Sequence, residues 1–274
     1  MDLIEGRDLY YALSQRRDGF SCAETKRMML NILQAVKHCH DRGVYVRDVK
    51  PENILLDSED CVYLCDFGLS TFEAVTTKKN VGTFSYMCPE MYYDSAQIMS
   101  VKPVSSCRQD LWSLVILLFN IRFAAHPWDI ASIEEDEHYE AFVYDPWTLA
   151  DRFGASEELV DLMASVCIFE TIGTVDDFIA YVKDMEAFVD PAKQGTIIGR
   201  EHRLWMDVEN SSTCDSYQPN TGVQYSHSED SPDLTNGDSK MSILLEGTAR
   251  APSMILSPVG ENPYLHYLKS GRFE

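Results

Sequence analysis

The stretch "VYVRDVKPENILL" at 44–56 places Asp48, Lys50 and Asn53 within six residues, around Pro51 and between apolar flanks. An acid, a cation and an amide in such a run gain nothing from packing, because each resists burial without a partner. The run is suited to holding something charged. Thirteen residues after Asn53 comes "DFG" at 66–68, then "GTFSYMCPE" at 82–90 and "DLWSLVILL" at 110–118. A lone "DFG" is an ordinary turn, so the signal lies in the order and spacing of all four fragments.

Several elements must position these residues. Between 21 and 42, Met28, Met29, Ile32, Leu33 and Val36 recur at helical spacing. Ser21 or Glu24 serves the first turn of that helix and Gly43 ends it. "NILLD" and "CVYLCD", separated by "SED", read as a β-hairpin. A loop of mixed polarity runs from Gly68 to Pro89. Residues 108–123 are apolar nearly all round, which predicts a helix buried in mid-domain with Trp112 in the core. Residues 156–169 and 174–188 predict two more helices, with Ser156 and Thr174 as N-caps ahead of acidic first turns.

The chain has 274 residues and a net charge of −21, enough for one or two domains with a sizeable core. The charge argues against general binding to nucleic acid or an anionic membrane, which needs clustered Lys and Arg. It suits basic peptide partners, or solubility alone. No run of apolar residues reaches membrane-spanning length, and "MDLIEGRDLY" has no signal-peptide pattern. The eight cysteines are scattered. Neither "HCH" at 38–40 nor the pair Cys61 and Cys65 has a second ligand pair at zinc spacing, so thiols in a reducing compartment are expected. Residues 189–274 are rich in Ser, Asn, Asp and Thr, and such a composition cannot offset ordering entropy. A mostly disordered acidic tail is expected there. Its apolar islands "MSILLEG", "SMILSPVG" and "YLHYLKSGRF" are either docking motifs or pieces of a solvated tail.

Taken together, the fragments resemble the C-terminal lobe of a eukaryotic protein kinase, whose signatures are H-R-D-L-x-x-x-N, D-F-G and A-P-E. The elements here are Val46-Arg47-Asp48, Asn53, Asp66-Phe67-Gly68 and Cys88-Pro89-Glu90. The fold class implied is α+β, mainly α-helical: a kinase-like C-lobe with a short β-hairpin over residues 1–188, then the tail at 189–274. "DVKPEN" resembles serine/threonine kinases. The stretch after "HPW" resembles fungal kinases of the group of negative regulators of meiosis and sexual differentiation.

The resemblance implies roles. Asp48 accepts or orients the substrate hydroxyl's proton, Lys50 sits by the transferring phosphate, and Asn53 and Asp66 hold Mg2+ on ATP. Gly68 permits a sharp turn after Asp66. Asp2, Leu3 and Ile4 line the adenine and Leu55 floors its pocket. Asp8 lies near the ribose and the substrate groove, and Asp8 with Glu52 reads Arg or Lys before the target residue. Thr83 ties the substrate loop to Asp48 and Lys50, and Asp110 anchors the catalytic-loop backbone. Lys79 stands where related kinases often carry a phosphorylated Thr, leaving Thr76 and Thr77 as alternatives and Lys79 as a partial substitute for phosphate. The substrate is a protein or peptide, and location in the cytoplasm, the nucleus or both is implied.

The pattern also has gaps. The chain opens at the inter-lobe hinge, and no Gly-rich loop or nucleotide-gripping Lys is recognisable. The motif-like "QAVKHCH" puts Lys37 on a helix, as a solvated residue. These 274 residues alone are therefore expected to transfer little phosphate, and a noncatalytic peptide-binding or scaffold module is the alternative. Glu90 lacks its expected Arg, since that position holds Ile172: either another cation serves or the lobe is looser.

Overall fold

The computed structural model describes residues 4–58, 61–92 and 103–193. Asp2, Leu3 and the tail beyond 193 lie outside the described residues. The chain runs β1 (Gly6–Asp8), α1 (Leu9–Ser14), α2 (Cys22–His40), β2 (Ile54–Asp57), β3 (Val62–Leu64), β4 (Val75–Thr76), β5 (Val104–Ser105), α3 (Ser106–Phe123), α4 (Glu137–Tyr144), α5 (Thr148–Phe153), α6 (Glu157–Cys167) and α7 (Val175–Asp184). It is mainly helical with small antiparallel sheets.

The expected hairpin is β2–β3, with Ile54 opposite Leu64 and Leu56 opposite Val62. Its other edge carries β1, with Asp8 opposite Leu55. "GRD" has no strand preference of its own, so the free edge of β2 imposes that conformation. The charged run leaves α2, bends through a short 3-10 turn at Pro51–Asn53 and enters β2.

Helix α2 starts with a capping box in which Ser21 and Glu24 act together: Ser21 Oγ accepts from the Glu24 amide and Glu24 accepts from the Ser21 amide. Met28, Met29, Ile32, Leu33 and Val36 form its buried face. Lys26, on the same helix, donates to the carbonyls of Lys183 and Met185, both at 2.7 Å. It closes the C-terminal end of α7, where unpaired carbonyls favour a cation.

Helix α3 is buried from Gln109 to Ile121. Trp112 and Trp128 are among the largest fully buried side chains, and Trp128 meets Tyr139 and Phe142 edge-on or tilted at 5.0 and 4.9 Å. The two short helices α4 and α5 were not foreseen. Helix α4 depends on Asp136, whose carboxylate accepts from the amides of His138 and Tyr139 in its first turn and from those of Asp129 and Ile130 in the preceding loop. Burial alone would raise its pKa, but these four bonds hold it below the usual range.

The expected tail boundary at 189 needs correction. Val189 bridges to Ala155, the Asp190 amide donates to the Gly154 carbonyl at 2.9 Å, and Lys193 Nζ donates to the Ala150 carbonyl at 3.0 Å. These bonds carry the folded unit to at least Lys193, because polar residues here satisfy the C-terminal end of α5.

Candidate active site

The site is built outward from Asp110, on the first turns of α3 and fully buried. Its Oδ2 accepts from the Val46 amide at 2.8 Å and its Oδ1 from the Arg47 amide at 2.6 Å. His40, at the end of α2, places Nε2 2.8 Å from Oδ2. One carboxylate therefore fixes the loop that carries Asp48 and ties it to two helices. The tension of this turn appears at Arg47, whose φ is +67°. Gln109 adds bonds to the carbonyls of Arg47 and Val81. Gly82, at φ +112°, must be glycine, because a Cβ there would lie 2.8 Å from the Arg47 carbonyl oxygen.

Asp48, Lys50, Asn53 and Thr83 meet in one cluster. Asp48 Oδ1 accepts from Thr83 Oγ1 at 2.9 Å, while Oδ2 receives Asn53 Nδ2 at 3.0 Å and pairs with Lys50 Nζ at 2.9 Å. Lys50 Nζ also donates to Thr83 Oγ1 at 2.9 Å. Asn53 Nδ2 additionally donates to the Asp48 carbonyl at 2.9 Å, which leaves the amide oxygen as its acceptor end.

Asp66 sits beside this cluster because the Cys65 amide donates to the Asn53 carbonyl at 2.9 Å. The sharp turn belongs to Asp66 itself, at φ +56°, and not to Gly68 as the sequence implied. Gly68 serves differently: its amide donates to Asp66 Oδ1 at 3.1 Å, and a Cβ on it would crowd that oxygen. Asp66 and Phe67 are exposed. Leu55 is half-buried on β2 and Ile4 precedes β1. Asp8 spends one oxygen capping α1, accepting from the Tyr11 amide. Burial pushes the Glu52 carboxyl above its usual range. Lys50 opposes this, whereas the neighbouring Asp48 and Asp8 charges add to it.

Among the described residues no group of three or more His, Cys, Asp or Glu is placed to hold a metal ion. Two oxygen donors suffice for Mg2+, which keeps waters and phosphate oxygens as its other ligands. Asn53 and Asp66 fit such a site.

The segment from Asp66 to Glu90 is pinned at several points. Thr76 lies in β4, opposite Val104, and is 2% exposed. A phosphate there would break the β4–β5 ladder, so burial removes Thr76 as an acceptor and leaves exposed Thr77. Lys79 does not take a phosphate's place beside Arg47. It reaches the opposite way and donates to the Glu90 carbonyl at 2.5 Å, while the Asn80 amide donates to the Met91 carbonyl. Arg47 is 4% exposed, and its Nε and Nη2 have no partner among the described residues. Burial pulls its pKa down, against the nearby charges of Asp110 and Glu73.

The Glu90 question has a direct answer. Arg108, on the first turn of α3, places Nε 3.0 Å from Glu90 Oε1. The lobe is not left with an unpaired acid. Ile172 instead packs against the core.

Sequence reasoning missed His40 and Arg108. The pair His40–Asp110 gives a pH signature. Burial pushes the His40 imidazole down, but its bond to the Asp110 carboxylate and its neighbour Cys107 outweigh this and raise its pKa to about 9. His126 is half-buried, edge-on to Tyr86 at 5.0 Å, and loss of hydration around the ring lowers it to about 4. The raised pKa of His40 gives stability that is complete below the unfolded value of about 6.5 and is lost as pH rises through about 9. The lowered pKa of His126 gives stability present above about 6.5 and lost as pH falls through about 4. Urea midpoints measured across that range should peak near neutrality. His40→Gln should flatten the alkaline side and His126→Phe the acid side; unchanged slopes would refute both assignments.

The comparisons agree with this geometry. Residues 1–171, more than half of the chain, match the protein kinase domain family. The serine/threonine-protein kinase VHS1 of Saccharomyces cerevisiae is 39% identical over 151 residues, covering 52% of this chain and 32% of that protein. The negative regulator of sexual conjugation and meiosis of Schizosaccharomyces pombe is 34% identical over 154 residues, covering 50% of this chain and 33% of its own. A second Saccharomyces cerevisiae serine/threonine-protein kinase, SKS1, is 31% identical over 200 residues, covering 68% and 40%. The chain thus spans about a third to two fifths of these relatives' lengths. With the motifs, the lobe and the matched residues in agreement, this chain belongs to the protein kinase family.

Proposed function

We propose that the chain is the substrate-binding and catalytic-loop part of a serine/threonine protein kinase, which transfers the γ-phosphate of ATP to a protein hydroxyl. The observation that carries this reading is the Asp48–Lys50–Asn53–Thr83 cluster, because phosphoryl transfer depends on positioning and charge neutralisation more than on covalent chemistry. Asp48 takes up the hydroxyl proton and Lys50 balances charge on the migrating group. Asn53 and Asp66 hold Mg2+, which neutralises the phosphates when bound. Thr83 fixes the distance between the substrate loop and the base. Ile4 and Leu55 border the adenine. Asp8 and Glu52 prefer a peptide with a basic residue before the target, as the mutual influence of the Asp8, Asp48 and Glu52 charges supports.

The test is an assay of the full gene product with labelled ATP, Mg2+ and a Ser peptide carrying Arg three residues before the target. Label should enter the peptide, EDTA should abolish this, and Arg→Ala in the peptide should weaken it. Peptide binding without any label incorporation would favour the noncatalytic module instead.

A further inference from the structure

Glu90 follows the substrate loop and bears on its position, so the group that holds Glu90 matters. Four contacts converge on Arg108. Nε meets Glu90 Oε1 at 3.0 Å, Nη1 donates to the Val166 carbonyl at 2.9 Å, and Nη2 meets Glu170 Oε1 at 3.2 Å. The guanidinium also lies 5.6 Å from the Trp112 ring centroid. Its side chain is 17% exposed, and burial works against its charge while Glu90 and Glu170 more than compensate. All five guanidinium donors point into a fixed fork, so these bonds set an orientation that Lys could not reproduce. The Glu90 carbonyl, in turn, receives Lys79 from the activation segment.

We propose that Arg108 is the positioning residue of the substrate loop: it holds residues 82–91 against α3 and α6 and supplies the counter-charge to Glu90. The loop, the end of α6 and the start of α3 then move as one body. Glu170 closes the outer side of the fork, at φ +53° where the chain turns out of α6.

The experiment is hydrogen exchange on the whole chain, comparing amides of 82–91 with those of α2. Arg108→Met should speed exchange in the loop by about tenfold or more relative to α2, as local opening does. Arg108→Lys should restore only part of that protection, because an ammonium cannot reproduce the fork to Glu90, the Val166 carbonyl and Glu170. Glu170→Gln, which removes only an exposed leg of the fork, should change loop exchange less than about threefold. Loop exchange that stays at the native rate, or rises only in step with α2, would overturn the proposal, as would full native protection in Arg108→Lys. The inference rests on reading 82–91 as the substrate loop. Failure of that reading would show as absence of phosphate transfer from the full gene product, a result independent of the exchange rates.

Discussion

Asp110→Ala should unfold the lobe or leave it with a molten catalytic loop. Three donors converge on this carboxylate: the amides of Val46 and Arg47 and the His40 imidazole. All lie where water does not reach Asp110, which is 0% exposed. A buried donor left without an acceptor costs about 1–3 kcal/mol, and breaking a buried ion pair costs about 3–5 kcal/mol. Even partial relaxation leaves a loss of about 4 kcal/mol or more, against a typical domain stability of about 5–15 kcal/mol. Asp110→Asn keeps the shape but turns an N–H toward one of the donors, so it should fall between the two. Urea unfolding followed by tryptophan fluorescence measures both, since Trp112 lies two residues along on the same helix. A midpoint for Asp110→Ala close to native would show that the loop does not depend on this anchor.

Asp48→Asn should have the largest effect on catalysis and little on folding. A positioned general base contributes about 10²–10⁴-fold. The amide cannot accept a proton, and its N–H would face the Lys50 and Asn53 donors now at 2.9 and 3.0 Å. In the full gene product kcat should fall by at least about a hundredfold, with KM for peptide altered far less because Asp8 and Glu52 remain. Equal losses in the two parameters' ratio and in KM alone would assign Asp48 to binding instead.

Local pattern carried the helices and the hairpin. The face Met28–Val36 and the cap Ser21–Glu24 are written in adjacent residues, as is the apolar run of α3. Strand β1 was not legible, because "GRD" becomes a strand only when β2 offers its edge. Helix α4 had a visible cap in Asp136, but its short length gave little periodicity. Within the site, the residues of the catalytic run were legible from their spacing, while their supports were not. His40 and Asp110 are 70 residues apart, and Glu90 finds Arg108 only once α3 is docked. Of the two alternatives that Ile172 left open, another cation serves, for a physical reason: an ion pair needs a charge nearby in space, and the chain can supply it from another element.

The β4–β5 ladder has a consequence for how this lobe can change. Thr76 pairs with Val104 on one side, and Asn80 with Met91 on the other. Both ends of the stretch from 92 to 103 are therefore tied down by partners that do not belong to it. The ladder and the Asn80–Met91 bond thus hold the segment that carries Thr83 from both sides, so that a change of length beyond Tyr92 would leave the catalytic-loop contacts in place.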